Sequence, residues 1–411
     1  MKGVRQLRLE LMLFFPALAV GILIALRAAE GLVPRLPRGR RSLSLKAGSS
    51  SLRSILRRRR QERSRGTSAD RPEPDGEDGL GPQGEDFRSG FVSILGNPNV
   101  GKSTLLNAML GEKLSIVSPK PQTTRHRILG ILSDPKFQVI FSDTPGMLRP
   151  AYQLQDAMME TVRGAASDAD AVLLVSDVFG EALADEKVFE RLRLSDRPVV
   201  VVVNKVDLVQ NISRPAAAPT APLTSLRARR TGQDDDEPKA KTLPELRELW
   251  AQRLPRAEVI GVSAALNYNV SAVVGRLVEL LPLGPRYFPN DTLTNRDERF
   301  FAAEIIRESL FYSYRDELPY SCEVAIADFK DKSDRLSVIE ADVIVDKESK
   351  KLILIGRGGD KLRALGTMAR ERLEEFLQRK VYLSLRVKVD ADWRRNNDAL
   401  ERFGYINSDF G

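Results

Sequence analysis

One cysteine and one histidine stand in a chain of 411 residues. A single thiol excludes an intramolecular disulfide and suits a reducing compartment, so Cys322 reads as a small buried strand residue. Long apolar runs are also missing. Near the N-terminus, Leu11–Leu26 offers 16 residues broken by Pro16 and Gly21, short for a membrane span and the right size for a signal-peptide core. Acids are scarce in one region only: residues 1–66 hold 16 Lys or Arg against 3 Asp or Glu, a net of +13, which leaves 67–411 at −5. The overall charge of +8 and the pI near 9.5 therefore say little about the folded part. Any RNA-binding surface has to be argued from a local patch. No internal repeat is evident.

Lys2, Arg5 and Arg8 precede the apolar run, and residues 27–66 are rich in Arg and Ser with Glu30 and Glu62 as their only acids. That composition predicts a targeting leader over 1–66 that is cleaved, a signal-like core followed by a transit-like stretch, as in a bipartite plastid address. The alternatives are a plain transit peptide, a stable membrane anchor, or an arginine-rich arm that binds RNA. Residues 67–88, rich in Pro, Gly, Asp and Glu, read as a disordered linker.

What the chain does have is Gly96-Asn97-Pro98-Asn99-Val100-Gly101-Lys102-Ser103, a glycine, four residues, then Gly-Lys-Ser. Phe91–Leu95 before it reads as a buried strand and Thr104–Leu110 after it as the start of a helix, the context a phosphate loop requires. Peptide N–H groups at a helix N-terminus, through Thr104, suit phosphate oxygens. Lys102 would reach the outer phosphates and the Ser103 hydroxyl would ligate magnesium.

From Phe91 to about Leu281, buried strands alternate with helices, which predicts an α/β domain with a mostly parallel sheet flanked by helices over 89–285. Residues 211–241 break the rhythm with Pro215, Pro219, Pro222 and blocks of opposite charge, and read as an exposed insertion. A linker at 286–297 would lead to a second, α+β domain at 298–405, followed by a tail at 406–411. There, Phe300, Phe301, Ile305, Ile306 and Leu310 have the spacing of an amphipathic helix.

Four further stretches sharpen the phosphate loop into a guanine-nucleotide site. Asp143-Thr144-Pro145-Gly146 follows a strand, placing Asp143 to hold magnesium through water and the Gly146 N–H to meet a γ-phosphate. Asn204-Lys205-Val206-Asp207 follows another: the Asp207 carboxylate can accept two N–H groups of guanine that adenine lacks, while Asn204 and Lys205 hold the base and brace the loop. Ser263-Ala264 is placed to give a backbone N–H to the guanine O6. Gln122-Thr123-Thr124-Arg125 is a switch segment that would bring a hydroxyl to magnesium, Thr124 being favoured over Thr123. His126, between Arg125 and Arg127, reads as a residue of the switch surface.

These motifs together resemble the translation-factor-related class of GTPases. Where Ras-like proteins carry a water-orienting Gln, this chain has Met147, whose thioether cannot activate water. In relatives with an apolar residue there and an Asn in the phosphate loop, that Asn helps hold a potassium ion, which supplies charge as an arginine finger would; Asn99 matches it.

Downstream, Gly356-Arg357-Gly358-Gly359 fits the Gly-X-X-Gly loop of KH domains, which clamps single-stranded RNA at its backbone. Residues 350–372 hold seven basic residues, Lys361 and Arg363 among them, against two acids. Ile353, Leu354 and Ile355 before the loop and Leu362 and Leu365 after it are expected to anchor it in an apolar core. The switch segment, Tyr314-Arg315-Asp316-Glu317-Leu318-Pro319-Tyr320, the glycine loop, Val387-Lys388-Val389 and Trp393-Arg394 together resemble the Era family over about Ser89 to Tyr405, and the C-terminal half, with Cys322 and Phe376-Leu377-Gln378-Arg379-Lys380-Val381-Tyr382, looks most like its plastid branch. The resemblance implies a GTPase domain followed by a type II KH domain, with GTP as substrate, magnesium as cofactor and potassium as an additional ion. It implies hydrolysis by Lys102, Thr124, Asp143, Gly146 and Asn99, and a monomer that binds small-subunit ribosomal RNA and the 30S-type particle. Transient membrane association and a mitochondrial rather than plastid address are the secondary expectations.

Overall fold

The run Val199–Val203 is uniformly apolar because it is buried on both faces of a sheet. Val200 and Val202 join a core with helix residues such as Leu105, Leu106 and Val273, while Val201 and Val203 join the opposite core with Met158, Leu246 and Trp250. A computed structural model of the protein describes residues 86–118, 120–180, 182–210 and 240–406. The leader, the linker through residue 85, most of the 211–241 insertion and the tail beyond 406 lie outside the described residues, as does Leu11–Leu26. Among the described residues no helix is long and apolar enough to cross a membrane.

The first domain runs β1 (Arg88–Leu95), α1 (Lys102–Leu110), β2 (Ile128–Ser133), β3 (Phe137–Asp143), α2 (Gln153–Asp168), β4 (Ala171–Asp177), α3 (Glu186–Leu194), β5 (Val199–Asn204), α4 (Leu243–Arg253), β6 (Glu258–Gly261) and α5 (Val270–Leu280). Its six strands lie in the order β2-β3-β1-β4-β5-β6. All pairings are parallel except β2 with β3, which is antiparallel because three residues, Asp134 to Lys136, make a hairpin and cannot make a crossover. The carboxyl ends of β1, β3 and β5 therefore share one edge, where the phosphate loop, Asp143 and Asn204 emerge.

The connection at 286–297 is tied to the first domain. Buried Gln138 accepts the Tyr287 and Phe288 N–H groups at 2.8 and 2.9 Å, and the Ile131 N–H donates to Leu293 O at 2.8 Å.

The second domain runs α6 (Glu298–Ser313), β7 (Cys322–Ser333), β8 (Leu336–Val345), α7 (Glu348–Ile355), α8 (Asp360–Leu377), β9 (Lys380–Val389) and α9 (Asn397–Arg402). β7 and β8 form an antiparallel pair; β9 joins β8 in parallel, with α7 and α8 as the crossover that parallel pairing demands. The three strands back onto α6 and α8 through Ile306, Leu310, Val343, Leu365 and Leu373. After β9 the chain returns to the first domain: Trp393, Leu400 and Tyr405 pack in the same core as Met147, Leu148 and Met158.

Candidate functional site

At the end of β1 the backbone must turn sharply under α1. Gly101 has φ 94°, and a Cβ there would stand 2.2 Å from Asn204 Nδ2, so glycine is required both by conformation and by the close approach of that amide. Lys102 arches back over the loop, its Nζ donating to Gly96 O at 3.1 Å and Asn97 O at 2.9 Å. Burial lowers its pKa to about 8, with the Asp143 carboxylate opposing the shift. Those two carbonyls hold the ammonium where phosphate oxygens would be its better partners. Asn97 is committed elsewhere, to Ala182 O and the Ala184 N–H, and so shapes the loop. Asn99 lies exposed on the loop's crest with φ 62°.

Three oxygens converge beside Lys102. The Ser103 hydroxyl donates to Asp143 Oδ2 at 2.8 Å and lies 2.9 Å from Thr124 Oγ1. Thr123 turns away, bonded to Lys120 O and the Ser118 hydroxyl. Asp143 is wholly buried, and its Oδ1 has no hydrogen-bond partner. Burial raises its pKa, and Lys102 and the Ser103 hydroxyl oppose the rise. An orphaned buried carboxylate oxygen flanked by two hydroxyls fits a hard, oxygen-loving cation. No group of three or more His, Cys, Asp or Glu forms a metal cluster among the described residues, so the remaining ligands at this position would be phosphate oxygens and water. Gly146 packs against Pro98, and the Met147 N–H donates to Gly96 O at 3.0 Å, docking that segment on the phosphate loop. Met147 itself is fully buried and faces the core.

At the end of β5, Asn204 joins two loops. Its Nδ2 donates to Val100 O at 2.8 Å and its Oδ1 accepts the Ala264 N–H at 3.0 Å. Lys205, at φ 62°, pairs with Asp177 at 2.8 Å, and Asp207 follows in a short turn, Val206–Leu208, half exposed. The chain after β6 folds back into a bridge between Ser263 and Tyr268: Ser263 N–H donates to Tyr268 O, and Ala264 N–H donates to Asn204 Oδ1, which ties the Ser263-Ala264 turn to the end of β5.

The switch segment is held by the second domain, which the sequence did not reveal. Arg307 of α6 reaches Thr123 O, Glu308 accepts the Val117 N–H, and the Tyr312 hydroxyl donates to Val117 O. Arg125 is buried against residues 319–323. His126 of the same segment is half-buried: its ring stacks on Tyr405 with centroids 4.4 Å apart and meets the edge of Phe300. Burial lowers its pKa to about 4, which leaves a neutral packing ring. The missed signal lay in α6, where Glu304, Arg307 and Glu308 interrupt the apolar stripe yet are all buried, since that helix is covered on two sides.

The Gly356–Gly359 loop joins α7 to α8 at an exposed corner. Gly358 and Gly359 have φ 61° and 82°, left-handed values that glycine adopts freely. Arg357, Lys361 and Arg363 are exposed beside it, Arg363 pairing with Asp360 at 2.9 Å. Leu354 and Leu365 are fully buried and anchor the loop. Ile353 does not: it is 52% exposed, next to Leu352 at 69%, because a helix two turns long can turn only one face inward.

A family model described as "50S ribosome-binding GTPase" matches residues 91–205, and one described as "KH domain" matches 317–394. The chain is 40% identical over 326 residues to a Zea mays protein named "GTPase ERA1, chloroplastic", covering 77% of this chain and 70% of that one. It is 40% identical over 322 residues to "GTPase Era" of Geotalea daltonii, covering 78% and 99%. A crystal structure of Era in complex with MgGDPNP and nucleotides 1506–1542 of 16S ribosomal RNA superposes with TM-score 0.67 at 36% identity, covering 78% and 99%. A phosphate loop fused through a guanine-type motif set to a KH domain, matched along nearly the full length of bacterial relatives, places this chain in the Era family of GTPases.

Proposed function

We propose that this GTPase binds small-subunit ribosomal RNA through its KH domain and acts as a timed switch in assembly of a 30S-type particle inside an organelle, the plastid. The observation that carries this is the junction between the domains: the segment bearing Thr124 is held by groups of the KH domain, so the state of the nucleotide and the placement of the RNA-binding loop share the same contacts. The chloroplast naming of plant relatives and the ribosomal RNA in the Era crystal structure support the partner and compartment.

In this reading residues 96–104 cradle the phosphates, Lys102 bridges the outer ones, and Ser103, Thr124 and Asp143 hold magnesium, which would neutralise charge building between the β- and γ-phosphates. Gly146 offers its N–H to the γ-phosphate, and Asp207 reads guanine, with Asn204 and Lys205 bracing its loop. Gly356–Gly359, Arg357, Lys361 and Arg363 take the RNA backbone. The test is crosslinking of the mature protein to organellar RNA. Crosslinks should concentrate near the 3′ end of the small-subunit RNA with a non-hydrolysed GTP analogue and fade with GDP, and small subunits should accelerate GTP turnover. Crosslinks spread over unrelated RNAs, with turnover indifferent to subunits, would defeat the proposal.

Met147 faces the core, so the charge that compensates for a missing glutamine has to come from elsewhere. Asn99, on the loop's crest, is the residue that would hold a potassium ion for that purpose. Turnover is expected to be about tenfold faster in potassium than in sodium at equal ionic strength, charge stabilisation being the main catalytic need. Equal rates in the two salts would remove potassium from the scheme.

A further inference from the structure

Thr124 is the one magnesium ligand in this reading that lacks support from a helix or strand. Ser103 lies in α1 and Asp143 ends β3, whereas the described residues between 111 and 127 belong to neither kind of element. A loop hydroxyl keeps catalytic position only if something beyond the loop fixes it. Two buried guanidinium groups do so, one on each side. Arg307, 1% exposed, donates Nη1 to Thr123 O at 2.6 Å, and Glu304 holds its remaining face, accepting Nε at 3.0 Å and Nη2 as well. Arg125, 3% exposed, donates Nη1 to Cys322 O at 2.8 Å and Glu323 Oε2 at 3.2 Å, and Nη2 to Pro319 O and Tyr320 O at 3.2 and 3.1 Å. Glu323 is itself fixed by the Tyr405 hydroxyl.

Burial of a guanidinium is costly unless its donors are met, and here both sets are met: Arg307 reaches the carbonyl of the residue before Thr124, and Arg125, the residue after it, is anchored to residues 319–323. We infer that Arg307 and Arg125 are positioning residues for GTP hydrolysis: by gripping the chain on either side of Thr124 they hold its hydroxyl beside Ser103, so the KH domain sets a magnesium ligand of the GTPase domain. The inference rests on Thr124 being that ligand. Simple glue between domains would affect stability and leave the magnesium requirement alone.

The test is single-turnover GTP hydrolysis by the full chain against free magnesium, with GDP affinity as the check on folding. The double variant Glu304→Met, Arg307→Met removes the buried pair without stranding either charge. It should bind GDP normally, require about tenfold more magnesium for half-maximal rate and turn over about tenfold more slowly, on the scale of a small misplacement of a catalytic group. Thr124→Ala should show the same defect, and combining the three changes should add nothing, as expected of groups acting through one another. If the double variant fails to hold GDP, Arg125→Lys, which forfeits the fork to Pro319 and Tyr320, carries the same measurement. A normal magnesium response in these arginine variants, with Thr124→Ala defective, overturns the inference and leaves the site intact. A normal response in Thr124→Ala overturns the ligand assignment beneath it.

Discussion

Asp207→Asn should cost this GTPase about 100- to 1000-fold in GTP affinity, the scale of losing one charge-assisted hydrogen bond at about 1.5 to 3 kcal/mol and weakening a second by about 1 kcal/mol. Guanine presents two N–H donors to one carboxylate. An asparagine meets one of them with its carbonyl oxygen and sets its own NH2 group against the other. Xanthine carries an acceptor at that second position, so the same variant should prefer xanthosine triphosphate to GTP. The fold should not change, because Asp207 is half exposed in the turn after β5 and its neighbours do the bracing: Lys205 pairs with Asp177, and Val206 N–H donates to Val262 O. Equilibrium titration with fluorescent guanine and xanthine nucleotides, beside a melting curve, measures both effects. An unchanged order of preference would move base recognition away from Asp207.

The second large effect concerns RNA alone. Arg357→Asp combined with Gly358→Asp puts two negative charges into the loop and removes a positive one. Affinity for small-subunit RNA should fall about 100-fold at moderate salt, and the salt dependence of what binding remains should flatten, since phosphate contacts carry that slope. GTP affinity should stay within about twofold, because the loop lies outside the nucleotide site and its residues are exposed. Gly358 has open space where a Cβ would stand, and aspartate is among the side chains that tolerate φ near 61°, so folding should survive. Filter binding with RNA and GTP on one preparation separates the two functions. Persistence of RNA affinity would place the groove elsewhere.

The phosphate loop was legible because its chemistry is local: the same few residues that turn the chain also face the ligand. The alternation of strands and helices was legible for a similar reason, with β5 declaring burial on both faces by five consecutive valines. The antiparallel β2 was signalled by its three-residue connection to β3, and a rule of strict alternation overlooked it. The clamp on the switch segment had no local signature. Arg307 meets Thr123 across 184 residues of chain, and only the packing of α6 between sheet and switch makes a buried arginine necessary. The partner of His126 was hidden for that reason as well, since Tyr405, which stacks on its ring, lies far along the chain.

A guanine nucleotide is two anchors joined by a sugar, and its residence time depends on whether the grips on base and phosphates let go together. Each grip holds the other half at high effective concentration, so a nucleotide freed at one end rebinds before it can leave. The Asn204 amide, fastened to the phosphate loop on one side and to the loop after β6 on the other, fixes the distance between the grips. A partner that loosened this one side chain would turn a chelated ligand into two weak ones. It would speed release of GDP without touching the nucleotide.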